Sequence, residues 1–316
     1  MKQHYVPQFY YKNFGDLVWC LDKTNDNIFH TTPKNISFEP DFYGPSIDGE
    51  YPLEKALDLL ERRFGTAITD LISKEDPTKI SLKNKLDLAL FVAIQYLRTK
   101  ETRERIADVA NSFAAAAVKH LQVEDHGIKL TEEGEMAMHL DRLKDFPSFA
   151  VTIAQMKFVL MTNNTKIPFW TSDNPVSLQN EYDQAPFGNL GIASKGIEMW
   201  TPISPRLVLV TCDPTMYSII PDVVEINDEQ IVIRNNWLQI ISSTRFLMSN
   251  TDDFYMAHEM LEHDKELRNP KRKRIVMGTL EPGMKIVKER PEFWMDPRII
   301  DETRKKFESK QEQEDE

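Results

Sequence analysis

Cysteine and glycine are both scarce in this chain. Only Cys20 and Cys212 occur among 316 residues, which is too few for a disulfide framework or a cysteine-rich zinc site. There are 11 glycines, and the sequence has no phosphate-binding glycine loop, dinucleotide fingerprint or nucleophile-elbow motif. These absences exclude the common nucleotide-binding and serine-hydrolase signatures. The low cysteine content also favours a reducing, cytoplasmic location.

Basic charge is in deficit, with 39 lysines and arginines against 50 acidic residues and a net charge of −11. The averaged surface therefore repels nucleic acid and anionic membranes. The basic run Lys271 to Arg274 is interpreted as a solvated loop, although it could also contact nucleic acid or another acidic partner. The most apolar window, Leu86 to Leu97, is shorter than the roughly twenty residues of a membrane span, and we expect the first residues not to be a secretory signal, since no long apolar segment follows their charge. We expect no membrane partner.

Hydrophobic periodicity predicts an α+β fold. Apolar residues recur every three or four positions across residues 52–72 and 82–97, which is typical of helices. Strand patterns occur at residues 17–21 and 28–32, which form a predicted hairpin, and at residues 167–171, 197–202, 206–211 and 254–257. We therefore expect a helix-rich layer with a small, mainly antiparallel sheet.

The same order of elements predicts the domain organisation. We expect a single large domain over residues 1–290, which could form two lobes, a helical part over residues 1–165 and a sheet-containing part over residues 166–290. The last segment, residues 291–316, is rich in lysine, glutamine and glutamate, and it is predicted to be an extended or disordered acidic tail.

The helix predicted over residues 82–97 is apolar on nearly every face, which places it in the centre of a large domain. At about 100° per residue, Asp87, Gln95 and Arg98 fall in one polar stripe. Buried charges are costly unless paired, so the stripe is either a structural hydrogen-bond network or one wall of a polar site. Arg98, with Arg103 beyond it, could bind a phosphate or carboxylate, or could pair with nearby glutamates.

A second polar group ends the predicted central strand. Residues 171–176 read Thr-Ser-Asp-Asn-Pro-Val, so Asp173 and Asn174 stand at the rim of a core, where sites are often built on rigid supports. An aspartate in such a turn also bonds its own backbone well. Asp173 therefore has a structural explanation beside the functional one.

Several motifs resemble a known family. They are His-Tyr-Val-Pro-Gln-Phe-Tyr at residues 4–10, Leu-Phe-Val-Ala-Ile-Gln-Tyr-Leu-Arg-Thr at residues 90–99, the turn at residues 171–176 and, more weakly, Pro-Ile-Ser-Pro-Arg at residues 202–206. In order and spacing they resemble the uncharacterised, largely bacterial domain-of-unknown-function family 4238. The resemblance covers most of the chain through about Met248. Since the family name supplies no activity, the resemblance implies only that these segments form one fold.

From the residues themselves we hypothesise that the polar element ends converge on one site. The leading prediction is a hydrolase acting on a phosphoryl-containing substrate, either a nucleotide or a nucleic acid. It assigns catalysis to His4, Asp173 and Glu54, with Asp173 as the ligand of any divalent cation. It assigns substrate binding to a second set of polar side chains, Gln8, Gln95, Arg98, Arg103 and Asn174.

Two alternatives stay open. The chain could be a non-enzymatic sensor or binding module that recognises a small polar or anionic ligand through Gln95, Arg98, Asp173 and Asn174. It could also be a protein-interaction component, for example a defence-associated one. Glu54 likewise has a structural explanation, because it could belong to the solvated acidic face of its helix.

Overall fold

The computed structural model describes residues 1–121, 129–180 and 190–274, together with two short strands at residues 276–277 and 286–287. The tail predicted over residues 291–316 lies outside the described residues. Within the described ranges the chain forms eight α-helices and thirteen strands.

The amino-terminal segment alternates short strands with one turn of helix: β1 (Lys2–His4), α1 (Gln8–Tyr11), β2 (Val18–Asp22), β3 (Asn27–Thr31) and β4 (Phe38–Pro40). Pro7 precedes α1 with φ −66°, the value that its ring imposes and that a helix start accepts. Strands β2 and β3 pair antiparallel, which confirms the predicted hairpin. Strand β1 pairs with β4, so that His4 lies opposite Phe38 in a two-stranded ribbon.

Five helices follow and form the helical layer: α2 (Pro52–Lys74), α3 (Leu82–Leu97), α4 (Lys100–Leu121), α5 (Glu132–Leu143) and α6 (Phe146–Ala154). Helix α3 begins after Ser81, whose hydroxyl accepts the Asn84 N–H at 3.1 Å. It packs against α2 and α6 and buries most of its residues, as its all-round apolar sequence predicts. Arg98 caps the end of α3 and Lys100 begins α4, so residues 98–103 form a polar junction between two long helices.

The rest of the chain carries most of the sheet: β5 (Lys157–Asn163), β6 (Thr171–Ser172), β7 (Ser177–Asn180), β8 (Ile197–Pro202), β9 (Leu207–Cys212), β10 (Val223–Ile226), α7 (Glu229–Ser242), β11 (Phe246–Ser249), α8 (Tyr255–His263), β12 (Val276–Met277) and β13 (Ile286–Val287). The side chain of Asp228 caps α7 by accepting the Gln230 N–H.

The larger sheet has the strand order β10-β5-β9-β8-β7, with β10 parallel to β5 and the other pairs antiparallel. Successive side chains of β9 point to opposite faces. Leu207 and Leu209 join the hydrophobic core that includes α3, whereas Val208 and Val210 join the core that includes α7 and α8. A sheet buried on both faces explains why β9 is apolar at every position except Thr211. Helices packed on a mainly antiparallel sheet confirm the predicted α+β class.

A second sheet, with the order β3-β2-β11-β6, joins the amino-terminal hairpin to the second half of the chain. Its strand β6 contains only Thr171 and Ser172, so the strand predicted over residues 167–171 was mostly wrong. Phe169 and Trp170 instead give their backbone N–H groups to the Pro205 carbonyl and the Asn236 side chain, at 2.9 and 2.8 Å. The predicted strand at residues 254–257 was also wrong, because α8 begins at Tyr255.

None of the helices in the described ranges combines the length and the hydrophobicity that a membrane crossing requires.

Candidate functional site

Arg98 is the centre of the contacts that join α3 to the amino-terminal segment. The residue is 1% exposed. Its Nε donates to the Tyr43 hydroxyl at 2.9 Å, Nη1 to Glu61 Oε1 at 2.8 Å and Nη2 to the His4 carbonyl oxygen at 2.6 Å. Because a guanidinium is planar and always charged, it can hold three acceptors in fixed positions. Arg98 therefore fixes its neighbours and has little capacity left for a ligand.

Gln95 and His4 lie beside Arg98. Gln95 Nε2 donates to the Tyr5 carbonyl oxygen at 3.0 Å, while its Oε1 is buried with no hydrogen-bond partner in the described part of the chain. The His4 ring is half-buried, and its Nε2 lies 3.2 Å from the Lys34 carbonyl oxygen. Burial lowers the pKa of His4, so the imidazole is neutral at pH 7. With Nε2 donating to a carbonyl, Nδ1 is left as a proton acceptor.

Glu54 stands in the first turn of α2 with an incompletely satisfied carboxyl group. It is half-buried, and its Oε2 is shielded from water without a hydrogen-bond partner among the described residues. Burial raises the pKa of Glu54 to about 7; Arg98 opposes this shift, and Asp58 and Glu61 add to it. Glu54 is thus a carboxyl group that titrates near neutral pH.

These residues form one group, which we call the Glu54 cluster: Glu54, Glu61, Arg98, Tyr43 and His4. The Tyr43 hydroxyl donates to the His4 carbonyl oxygen at 3.3 Å, and burial raises the pKa of Tyr43 to about 12. The cluster therefore combines a fixed cation, a phenol that stays protonated and a carboxyl group that exchanges its proton near pH 7.

A shallow groove of about 840 Å³ runs along α2 and reaches this cluster at Glu61. The Phe9 ring and Gly65 form part of its wall. Its charged lining consists of Asp58, Glu61, Arg62 and Asp70. Glu61 belongs to both the groove and the Arg98 contacts, so a molecule in the groove would reach the edge of the Glu54 cluster.

Asp173 is held very differently. It is fully buried, and its carboxylate accepts three backbone N–H groups from the segment between α7 and β11. Oδ1 accepts from Thr244 at 2.9 Å, and Oδ2 accepts from Arg245 at 2.8 Å and from Phe246 at 3.1 Å. The acceptor positions of this carboxylate are therefore already occupied by backbone N–H groups of the protein itself. The geometry gives Asp173 a role in joining two segments of the fold.

Lys23 and Asn174 complete the surroundings of Asp173. The buried Lys23 amine donates to the carbonyl oxygens of Ile240 and Ser243, each at 2.8 Å. Burial lowers the pKa of Lys23, and the negative charge of Asp173 opposes that shift. The Asn174 side chain accepts from the Thr99 hydroxyl at 2.8 Å and donates to the Ser242 carbonyl at 3.0 Å. Asn174 therefore ties the α3–α4 junction to the end of α7.

The remaining predicted binding residues lie apart. Gln8 is exposed at the start of α1. Arg103 packs its guanidinium 3.7 Å from the centre of the Phe42 ring and donates to the Phe42 carbonyl oxygen. In the residues that the structure describes, no three His, Cys, Asp or Glu side chains are grouped as a metal ion would require.

The structure thus places the predicted residues in two groups. His4, Glu54 and Arg98 belong to the Glu54 cluster and Gln95 lies beside it, whereas Asp173 and Asn174 form a separate buried turn, to which Thr99, the neighbour of Arg98, donates a hydrogen bond. Tyr43 and Lys23 were missed, because nothing in the local sequence marks them. Their partners lie 55 residues away for Tyr43 and 217 or 220 residues away for Lys23.

A family model described as Protein of unknown function (DUF4238) matches residues 2–253, which is most of the chain. The chain belongs to this family. The resemblance seen in the sequence motifs is thereby confirmed. No curated protein and no solved structure matches the chain. All the predicted site residues of this DUF4238 chain lie inside the matched region, whereas the basic run Lys271 to Arg274 lies beyond it.

The interpretation of that basic run as a solvated loop was wrong for two of its four residues. Arg272 is buried, and the Arg274 side chain is only 5% exposed. Both guanidinium groups lie against Glu101 of α4. Lys271 and Lys273 remain at the surface.

Proposed function

We propose that this DUF4238 protein is a hydrolase and that Glu54 is the residue that moves the proton. The observation that carries the proposal is the state of the Glu54 carboxyl group. It is half-buried, one of its oxygens has no partner among the described residues, and its pKa is raised to about 7. A carboxyl group with these properties, in a cluster that the groove reaches at Glu61, is suited to general acid–base catalysis.

In the proposed reaction, the Glu54 carboxylate takes a proton from a water molecule while the water oxygen attacks phosphorus. The bond between phosphorus and the leaving oxygen breaks, and Glu54 then returns the proton to that oxygen. A group with a pKa near the working pH performs both transfers efficiently. The neutral imidazole of His4 provides a second proton acceptor at the same cluster.

Arg98 enters this proposal as a positioning residue. Its three hydrogen bonds hold Glu61, Tyr43 and the His4 backbone, and its positive charge limits the rise in the pKa of Glu54. We assign the anionic part of a phosphoryl-containing substrate to Arg62. Arg62 lines the groove, and its guanidinium makes no ion pair with a described residue.

The test is a hydrolysis screen of the purified protein against nucleotides, nitrophenyl phosphates, single-stranded DNA and RNA, with and without magnesium or manganese. We expect Glu54→Gln to lower kcat by a factor of about 100 or more. The matched control is Glu50→Gln, which changes an exposed carboxylate that pairs with Lys55 at the surface. If no substrate is turned over, or if the two variants are equally active, the hydrolase proposal fails.

A second candidate function is supported by the acidic lining of the groove. Asp58, Glu61 and Asp70 outnumber Arg62 there, and Phe9 supplies an aromatic wall. These groups suit a small organic cation with an apolar body, which a non-enzymatic binding module would recognise. Calorimetric titration with aromatic amines would support this function if binding occurs without turnover and is weakened by Asp58→Asn.

A further inference from the structure

Helix α4 carries a stripe of acidic residues on one face, Glu101, Glu104 and Asp108, at positions i, i+3 and i+7. The segment Asn269–Arg274 lies along this stripe. Lys271 Nζ is 3.0 Å from Glu104 Oε1, and the Arg274 backbone N–H donates to Asp108 Oδ2 at 2.7 Å. The segment that follows α8 therefore contacts one face of α4 through both a side chain and the backbone.

Glu101 is the acceptor in this stripe that both arginines contact. Arg274 donates to it twice, from Nε to Oε1 and from Nη2 to Oε2, both at 2.8 Å. The Thr244 hydroxyl donates to Oε2 at 3.0 Å and orients the carboxylate. Burial alone would raise the pKa of Glu101, but Arg272 and Arg274 outweigh it and hold this pKa at about 2. A paired fork of this kind recognises guanidinium more strongly than it recognises an ammonium group.

The end of α7 supplies the second half of the surface. Arg272 Nη2 donates to the carbonyl oxygens of Ile241 and Ser243, at 3.0 and 3.1 Å, and lies 3.3 Å from Glu101 Oε1. The last carbonyls of a helix carry partial negative charge and lack intrahelical partners, so they attract a cation. Arg272 and Arg274, which are separated by one residue, thus bind to two adjacent sets of acceptors, the end of α7 and Glu101.

The boundary of the family match separates the acceptors from the donors. Glu101, Glu104, Asp108 and the end of α7 all lie inside the family match, whereas the segment Asn269–Arg274 lies outside it. The fit of that segment is also incomplete. Arg272 is 8% exposed, yet its Nη1 has no hydrogen-bond partner among the described residues. A buried donor without a partner makes the binding of its segment to the rest of the chain less favourable, as expected of a ligand that can exchange.

We propose that the Glu101–Glu104–Asp108 face of α4, together with the end of α7, is a binding site for an arginine-bearing basic peptide, which the chain fills with its own segment Asn269–Arg274. The recognised pattern is a lysine followed by two arginines separated by one residue. The site is distinct from the Glu54 cluster and does not depend on the hydrolase proposal.

The test uses the full chain with Arg272→Ala and Arg274→Ala, and a fluorescent synthetic peptide with the sequence of residues 269–274. We expect this double variant to bind the peptide in a one-to-one complex at least ten times more tightly than the wild-type chain, whose site is filled. Binding should weaken with added salt. Adding Glu101→Gln to the double variant should weaken it a further tenfold or more.

Two controls separate recognition from general charge attraction. A peptide with lysine in place of both arginines has the same charge and should bind more weakly, because an ammonium group cannot form the paired fork. The variant Lys273→Ala, which changes an exposed residue of the same run, should bind the peptide no better than the wild-type chain does. Equal peptide binding by wild type and double variant, or binding that ignores Glu101→Gln, would overturn the proposal.

The wild-type chain provides a second measurement if the double variant does not fold. Amide hydrogen exchange reports whether the segment opens by itself. We expect the amides of Arg272 and Arg274 to exchange faster than those of the α7 core, and to exchange faster still as salt is raised. Exchange of these two amides only together with α7, at every salt concentration, would show that the segment is a fixed part of the core and would refute the proposal.

Discussion

Asp173 and Glu54 are both carboxylates beside buried polar groups, but their surroundings differ in one decisive respect. Asp173 is enclosed and accepts three backbone N–H groups. Glu54 is half-buried, keeps one oxygen without a partner in the described structure and has a pKa of about 7. The difference teaches that a satisfied carboxylate holds a fold together, whereas an unsatisfied one remains available for chemistry.

The largest effect should come from Asp173. We expect Asp173→Ala to lower the free energy of unfolding by about 4 kcal/mol, because three backbone N–H groups lose their acceptor and the buried Lys23 loses a negative charge that stabilises its ammonium form. Urea denaturation monitored by tryptophan fluorescence measures this loss. Asp173→Asn, which keeps one acceptor oxygen, should lose less. A stable Asp173→Ala protein without activity would break the comparison and return Asp173 to the catalytic group.

Substitution of Arg98 should have the second-largest effect on stability. We expect Arg98→Lys to lower the free energy of unfolding by about 3 kcal/mol, since an ammonium group cannot reach the Tyr43 hydroxyl, Glu61 and the His4 carbonyl together. Hydrogen exchange should show lost protection in β1 before any other strand. Arg105→Lys is a suitable control, because the Arg105 guanidinium bonds the Tyr96 hydroxyl and packs over the Tyr96 ring away from the Glu54 cluster. Equal losses in both variants would contradict the central role of Arg98.

His139 gives a pH dependence that must be separated from that of Glu54. The ring is fully buried, its Nε2 bonds the Leu97 carbonyl at 2.9 Å, and burial lowers its pKa to about 4. His139 therefore takes up a proton near pH 6.5 in the unfolded chain but only near pH 4 in the folded chain. Stability falls as the pH drops through this window, by about 2 kcal/mol between pH 7 and pH 5.

The variant His139→Gln should remove that part of the pH dependence, since glutamine can still donate to Leu97 and does not titrate. Urea denaturation at pH 5, 6 and 7 measures the change. His120→Gln, on an exposed residue of α4, is the matched control. The same loss of stability in acid for wild type and His139→Gln would count against a neutral buried ring.

Glu54 should give the smallest change in stability, with the opposite sign. Its folded pKa of about 7 lies above its ordinary value of 4.5, so ionisation costs stability as the pH rises through that window. After allowance for solvent screening of a half-exposed group, we expect Glu54→Gln to be more stable than wild type by about 1 kcal/mol at pH 8 and unchanged at pH 4. Thermal unfolding at the two pH values tests this. A less stable Glu54→Gln protein at pH 8 would make Glu54 structural, like Asp173.

The local structure around these residues could be predicted from the sequence. Period and composition predicted the buried helix 82–97, its polar stripe and the hairpin of β2 and β3, because side-chain periodicity follows directly from helix and strand geometry. The motif at residues 171–176 was also identified as a turn, but the expectation that Asp173 bonds its own backbone there was wrong, because its carboxylate accepts the N–H groups of residues 244–246. The two errors over residues 167–171 and 254–257 arose because short apolar runs do not distinguish a strand from extended coil or from a helix.

The hydrogen-bond partners of the polar groups could not be predicted from the sequence. The donors to Asp173 lie 71 to 73 residues away along the chain, and Arg98 reaches Tyr43 and the His4 carbonyl across 55 and 94 residues. No local pattern encodes a contact at such separations. The docking of Arg272 and Arg274 on Glu101 shows the same limit, since a run of four basic residues has the same local sequence whether it is solvated or buried.

The sequence alone therefore determined the α+β class, the helices with their buried and polar faces, and the set of polar residues worth examining. Tertiary structure decided which of those residues are satisfied and which are free. The reason is that hydrogen-bond satisfaction and desolvation depend on groups brought together from distant parts of the chain. Thus Asp173, prominent in sequence, became a structural anchor, and Glu54, a minor candidate on an acidic helix, became the centre of the candidate site.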